Sequence, residues 1–160
     1  MYRKLIALFS WSELTAPIRS CYSKAGRRGY AVEQGFRSLF LQFLEDKSDR
    51  QMEEFLKYDL SAKYFCSFGL TDKTPDHSYF GAFRARIGAH RLSVIFKSMV
   101  ESLKKEGLIR EFYSFVDASK MSHRARYRGE VKVYFQAVME AFVHNVKRLA
   151  TIRVQAIPIS

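Results

Sequence analysis

Two cysteines are all that 160 residues contain, and Cys21 and Cys66 have no CxxC spacing. Each stands beside an aromatic residue, so both read as small buried hydrophobes of a reducing compartment rather than as a disulfide or a metal pair. The four histidines, at positions 77, 90, 123 and 144, show no ligand-like pairing either, which argues against a zinc site. Long apolar runs are also missing. Leu5-Ile6-Ala7-Leu8-Phe9 after Arg3-Lys4 imitates a signal peptide but is too short for an export signal. No stretch approaches the roughly 18 apolar residues that span a bilayer. The expectation is a cytoplasmic, bacterial-type, nucleoid-associated chain with no membrane partner. Acidic residues are scarce as well. Sixteen Asp and Glu face 27 Lys and Arg, a net charge of +11, which favours a polyanionic partner. Repeats and low-complexity tracts are absent.

What is present is apolar and helical in period. Hydrophobic residues make up 48% of the chain and aromatics 15%, enough to bury a core. Glu13 to Ser23 reads as a short helix interrupted by Pro17, followed by the basic turn Lys24 to Gly29. From Ala31 to Leu44 the spacing of Val32, Phe36, Leu39, Phe40, Phe43 and Leu44 predicts a core helix. Ser48 and Gln51 form a capping box that opens the next helix, with Met52, Phe55 and Leu56 inward. Asp59 caps a third, through Leu60, Tyr64, Phe65 and Phe68, stopped by Gly69. A helix restarts at about His77, closes at Gly88, and is followed by a longer one from about His90 to Glu106. Past Gly107 the texture changes to short aromatic and β-branched runs, a β remnant near 108–117. A basic stretch, Lys120 to Arg128, precedes a helix from about Glu130 to Ala150. The fold class expected is mainly α: a helical bundle with a helix-turn-helix-like unit, that β remnant and a C-terminal helix. The expected division is 1–106, 107–129 and 130–160.

The stretch from Ser48 to Gly88 reads as three short helices joined by tight turns, the format of a helix-turn-helix unit. Its last helix carries Arg84 and Arg86, and Arg suits the two acceptors of guanine in a major groove. Lys73, His77 and Ser78, at or just before the start of that helix, are placed to reach phosphate or a base edge. In the alternative, the two arginines form only the solvated face of a helix whose Phe80, Phe83 and Ile87 point inward.

The ordered series Ser48-Asp49-Arg50-Gln51-Met52-Glu53-Glu54-Phe55-Leu56, Asp59-Leu60-Ser61, Tyr64-Phe65-Cys66, Gly69-Leu70, Thr74-Pro75-Asp76-His77-Ser78, Phe80 and Phe83-Arg84 resembles the N-terminal domain of InsH-type insertion-sequence transposases. The likeness runs from about residue 30 to 120, ending on Val116-Asp117-Ala118. It implies double-stranded DNA as partner, at the element's terminal inverted repeats. It also implies that Asp117 matches the first of three carboxylates which in that family hold two Mg²⁺ ions for strand transfer. There the match breaks. No aspartate follows Asp117, the only later acids are Glu130 and Glu140, and the family's glutamate-helix signature is not reproduced. Instead Arg124-Ala125-Arg126-Tyr127-Arg128-Gly129 and the helix after it resemble the extreme C-terminus of the same transposases.

An internal deletion explains this fusion of front to back. The expectation is a DNA-binding remnant that needs no cofactor alone and cannot assemble a two-metal site. Arg124, Arg126 and Arg128 would add phosphate contacts. A homodimer or a full-length transposase is a possible partner, and competence only in trans, or binding to RNA or an anionic surface, are the alternatives.

Overall fold

The computed structural model describes residues 1–22 and 29–105. Seven helices follow one another among them: α1 (Tyr2–Leu8), α2 (Trp11–Leu14), α3 (Ala16–Arg19), α4 (Val32–Leu44), α5 (Asp49–Tyr58), α6 (Leu60–Phe65) and α7 (His77–Lys105). No strand occurs among the described residues, and the protein is mainly helical. The β remnant near 108–117 and the C-terminal helix lie outside them.

The bundle is organised around α4, where ten consecutive residues from Gly35 to Leu44 are buried. Three short helices from the chain start and three later ones close around it, with α7 packing on α5, α3, α2 and α4. Aromatic rings fill the centre. Trp11 meets Phe40 edge-on at 5.4 Å and Phe65 at 5.5 Å, while Phe40 and Phe65 stack at 6.0 Å. The Arg37 guanidinium covers the Trp11 ring at 5.1 Å. It also donates to the Phe65 carbonyl and Ser67 Oγ, both at 3.1 Å, and pairs with Glu33 at 2.6 Å. One buried cation therefore ties α4 to the end of α6, its charge answered by a carboxylate one helical turn away.

Local chemistry explains most boundaries. The Ser48 hydroxyl accepts from the Gln51 N–H at 3.3 Å and Gln51 returns the bond to the Ser48 N–H at 2.8 Å, the reciprocal cap expected for α5. At α4 only half of that arrangement exists. Gln34 accepts from the Ala31 N–H at 3.1 Å, but alanine offers no oxygen in return. Asp59 ends α5 and caps α6, its Oδ1 accepting from the Ala62 N–H at 2.8 Å. Helix α6 stops at Phe65 rather than running to Gly69, because Ser67 turns left-handed at φ 59°. The Phe68 N–H then reaches back to the Lys63 carbonyl and the Ser67 N–H to that of Tyr64.

That early stop overturns part of the expected inward face. Phe65 and Phe68 are buried, but Leu60 and Tyr64 are 64% and 57% exposed. A six-residue helix turns only one narrow side to the core, and here Ala62, Phe65 and the Lys63 stem fill it. Near the start, the single helix expected over Glu13 to Ser23 is two short ones. Pro17 sits in the first turn of α3, where its missing N–H costs nothing.

Helix α7 is two helices joined at Gly88, whose φ of 70° and ψ of 164° leave helical space. The first half, to Ile87, buries Phe80, Phe83 and Ile87; the second buries Leu92, Ile95, Met99 and Leu103. Where the first half crosses α4, Gly35 makes the approach possible. A Cβ there would meet the Tyr79 hydroxyl and the Phe83 ring, the latter at 2.7 Å.

Candidate nucleic-acid interface

The unit expected to recognise DNA consists of α5, α6 and the first half of α7. Its helices are present, but the connection from α6 to α7 is a loop over 66–76, not a tight turn. The loop is well tied down. Lys63 Nζ donates to the Leu70 carbonyl at 2.7 Å, Asp72 accepts from the Gly69 N–H at 2.7 Å, and Pro75 is buried. Lys73 stands exposed on it.

Arg84 does not reach outward. Only 6% exposed, it forks onto Asp49, with Nη2 to Oδ2 at 2.6 Å and Nη1 to Oδ1 at 3.0 Å, and Nη1 also donates to Gln42 Oε1 at 3.3 Å. Gln42 completes the triangle by donating to Asp49 Oδ1 at 2.6 Å. This bidentate pair locks α7 to the first turn of α5 and to the core helix α4. The expectation that Arg84 enters a groove is corrected by this geometry, and so is the view of it as a solvated residue. Its spacing from Phe80 and Phe83 put it at the edge of the buried face, where a carboxylate 35 residues earlier receives it.

Arg86 is different. It is exposed, with its guanidinium carbon 4.8 Å above the Tyr22 ring. Tyr22 in turn leans on Phe83 at 6.3 Å, and Tyr30 packs edge-on against Tyr79 at 5.3 Å and Phe68 at 5.8 Å. Burial raises the Tyr22 phenol above its ordinary range despite the opposing positive charge of Arg86. Tyr22 therefore stays neutral and presents a fixed aromatic floor to the arginine. Nothing in the sequence paired these two residues, which lie 64 positions apart. The outer surface of the same half-helix holds Ser78, Ala82 and Ala85, all exposed and all small.

The start of α7 is less open than its residue types suggested. Asp76 Oδ1 accepts from the N–H groups of Ser78 and Tyr79, at 3.0 and 3.1 Å, and from the Ser78 hydroxyl at 2.6 Å. Glu53 of α5 accepts from both the His77 N–H, at 2.9 Å, and His77 Nδ1, at 2.8 Å. Each carboxyl is held below its ordinary pKa, Glu53 first by the His77 side chain and Asp76 first by the Ser78 hydroxyl. Two carboxylates thus occupy the helix N-terminus where a phosphate was expected to sit.

Among the described residues no three His, Cys, Asp or Glu side chains come together to hold a metal ion. No described helix is long and apolar enough to cross a membrane. Asp117, Arg124, Arg126 and Arg128 lie outside the described residues. Cys66 is fully buried, its thiol pushed up to about 12 by desolvation, and Cys21 is half-buried; both are free thiols.

Helices that present one outward arginine and a smooth small-residue face, over a core with no assembled catalytic group, define a helical binding module rather than a complete active site. A family model described as Transposase domain (DUF772) matches residues 1–86, more than half of the chain, and the protein belongs to that transposase-domain family. No curated protein and no solved structure matches it. The matched region ends two residues before the Gly88 kink, so it holds α1 to α6 and the half of α7 that carries Arg84 and Arg86.

Proposed function

We propose that this transposase-family chain binds the terminal inverted repeats of its own insertion sequence through residues 48–88, and that it does not carry out strand transfer by itself. The observation that supports the reading most is the outer face of α7 before Gly88. Ser78, Ala82 and Ala85 leave the helix backbone close to its surface, and Arg86 projects from the end of that strip on an aromatic floor. A slim helix face suits entry into a major groove, and a preoriented guanidinium suits guanine. Lys73, on the loop before the helix, supplies a phosphate contact. His77 and Ser78 serve mainly to cap the helix, since the carboxylates that hold them disfavour a phosphate there. Arg84 acts indirectly, by holding the helix in place. The alternating Arg124, Arg126 and Arg128 add contacts to the DNA backbone that are independent of sequence.

The catalytic half of the proposal rests on the sequence after residue 116. Strand transfer in the parent family uses two divalent metals held by three carboxylates. Here Asp117 stands in the first position, and only Glu130 and Glu140 follow. That set does not fit a two-metal centre, so no step through magnesium is assigned.

Gel-shift titration on inverted-repeat DNA tests the binding claim. Arg86→Ala should weaken specific binding by roughly 5- to 150-fold, the worth of one bidentate base contact of about 1–3 kcal/mol. Equal affinity for inverted-repeat and random duplex would refute the recognition claim. In Mg²⁺ or Mn²⁺ the chain alone should transfer no strands, and transfer that Asp117→Ala abolishes would refute the inactive reading. Mixed with intact transposase, the chain should inhibit.

A further inference from the structure

An apolar surface on the α5–α6 corner has no partner among the described residues. Tyr58, Leu60, Tyr64 and Met1 are 69%, 64%, 57% and 54% exposed, and they account for four of the six large hydrophobic residues exposed in the described structure. Three of them, Met1, Leu60 and Tyr64, line one open groove between the start of α1 and the outer side of α6. Tyr58 lines a second groove along α5, and the residues 58–60 form the ridge between the two. With two tyrosines, a leucine and a methionine more than half exposed, the surface offers on the order of 400 Å². That is as large as the apolar patches that mark contact sites on monomers, and about half of the roughly 800 Å² per partner of a standard interface.

Charge identifies the occupant. The chain as a whole carries +11, yet the linings of the two grooves hold three cations, Arg3, Lys47 and Arg50, and three anions, Glu45, Glu54 and Asp59. A balanced, apolar surface is ill suited to DNA, whose contacts need excess positive charge. It is also the place where two strongly basic chains can meet with the least repulsion. Each groove carries both signs, and a ridge stands beside a groove, so the surface is complementary to itself. Self-complementarity of this kind is what a two-fold contact requires, because every residue meets its counterpart's neighbours in both directions.

We propose that the α5–α6 corner is the surface through which two copies of this chain associate, with Leu60 and Tyr64 of each seated in the groove of the other. The contact lies away from the Arg86 face assigned to DNA and does not rest on that assignment.

Sedimentation velocity of the full chain from about 1 to 100 µM is the test, with hydrogen exchange on the same samples. The wild-type chain should shift toward a dimer with rising concentration, and amides of α6 should gain protection as it does. Leu60→Ser with Tyr64→Ser should remain monomeric over that range while keeping the wild-type melting curve, because both side chains are exposed. A wild type that stays monomeric throughout overturns the proposal. So does a double variant that dimerises as readily as the wild type, or an α6 protected equally in the monomer, which would mean that another part of the same chain covers the surface. Because the assay contains no DNA, failure here leaves inverted-repeat binding to be judged on the gel shift alone.

Discussion

Replacing Arg84 by alanine separates positioning from recognition. The guanidinium is 6% exposed and makes three short contacts, to both oxygens of Asp49 and to Gln42. Breaking a buried ion pair by removing one partner costs about 3–5 kcal/mol, because the other charge remains without compensation. Asp49 retains 28% exposure and keeps its bond from Gln42, so water recovers part of that loss and the expected cost is about 2–3 kcal/mol. Against the roughly 5–15 kcal/mol of a typical domain, this is a large but survivable fraction.

Urea unfolding followed by circular dichroism measures it, with Asp49→Ala and the double variant closing a cycle. The two single costs should exceed the double by about 1.5 kcal/mol or more, since each deletion strands the same pair. Arg84→Met with Asp49→Leu should recover much of the stability, because apolar side chains of similar volume remove the desolvation penalty. DNA affinity of Arg84→Ala should fall only as its folded fraction falls. Arg86→Ala should show the reverse, losing affinity while stability changes by about 0.5–1 kcal/mol, the worth of its contact with Tyr22. A cost below about 0.5 kcal/mol for Arg84→Ala, or a cycle with no coupling, would refute the positioning role.

Three further outcomes are expected. Gly88→Ala places a side chain in open space but at φ 70°, so it should cost about 1–3 kcal/mol in a urea titration without altering packing around residue 88. Gly35→Ala should destabilise by about 1–3 kcal/mol through its clash with Tyr79 and Phe83, less up to about 1 kcal/mol gained in helix propensity, and trimming Phe83 to Leu in the same chain should restore part of the loss. At alkaline pH the folded chain keeps protons on Cys66, pushed up to about 12 from 9.0, and on Tyr2 and Tyr79, also raised chiefly by burial, that the unfolded chain gives up. Stability present below about pH 9 is therefore lost as pH climbs toward 12, and urea midpoints at pH 8 and pH 10.5 should differ in that direction. In the same range a thiol reagent should modify Cys21 in the native chain and Cys66 only after unfolding.

The sequence alone determined the local and periodic features of this protein. The Ser48 and Asp59 caps, the core helix to Leu44 and the break at Gly88 each depend on side chains within four residues or on a 3.6-residue period, so they were legible in one dimension. The ordered series from Ser48 to Arg84 also carried the family, which the match over residues 1–86 bears out. What the tertiary structure decided was the fate of individual polar and apolar groups whose partners are distant in the chain. Arg84 and Arg86 are two positions apart and chemically identical. One is drawn inside by Asp49, 35 residues away, and the other is held outside on Tyr22. Leu60 and Tyr64 look like core residues by spacing, and they are left outside because a left-handed Ser67 ends their helix before its second turn. Burial and pairing are set by what packs opposite, and for these side chains the opposite surface comes from elsewhere in the chain.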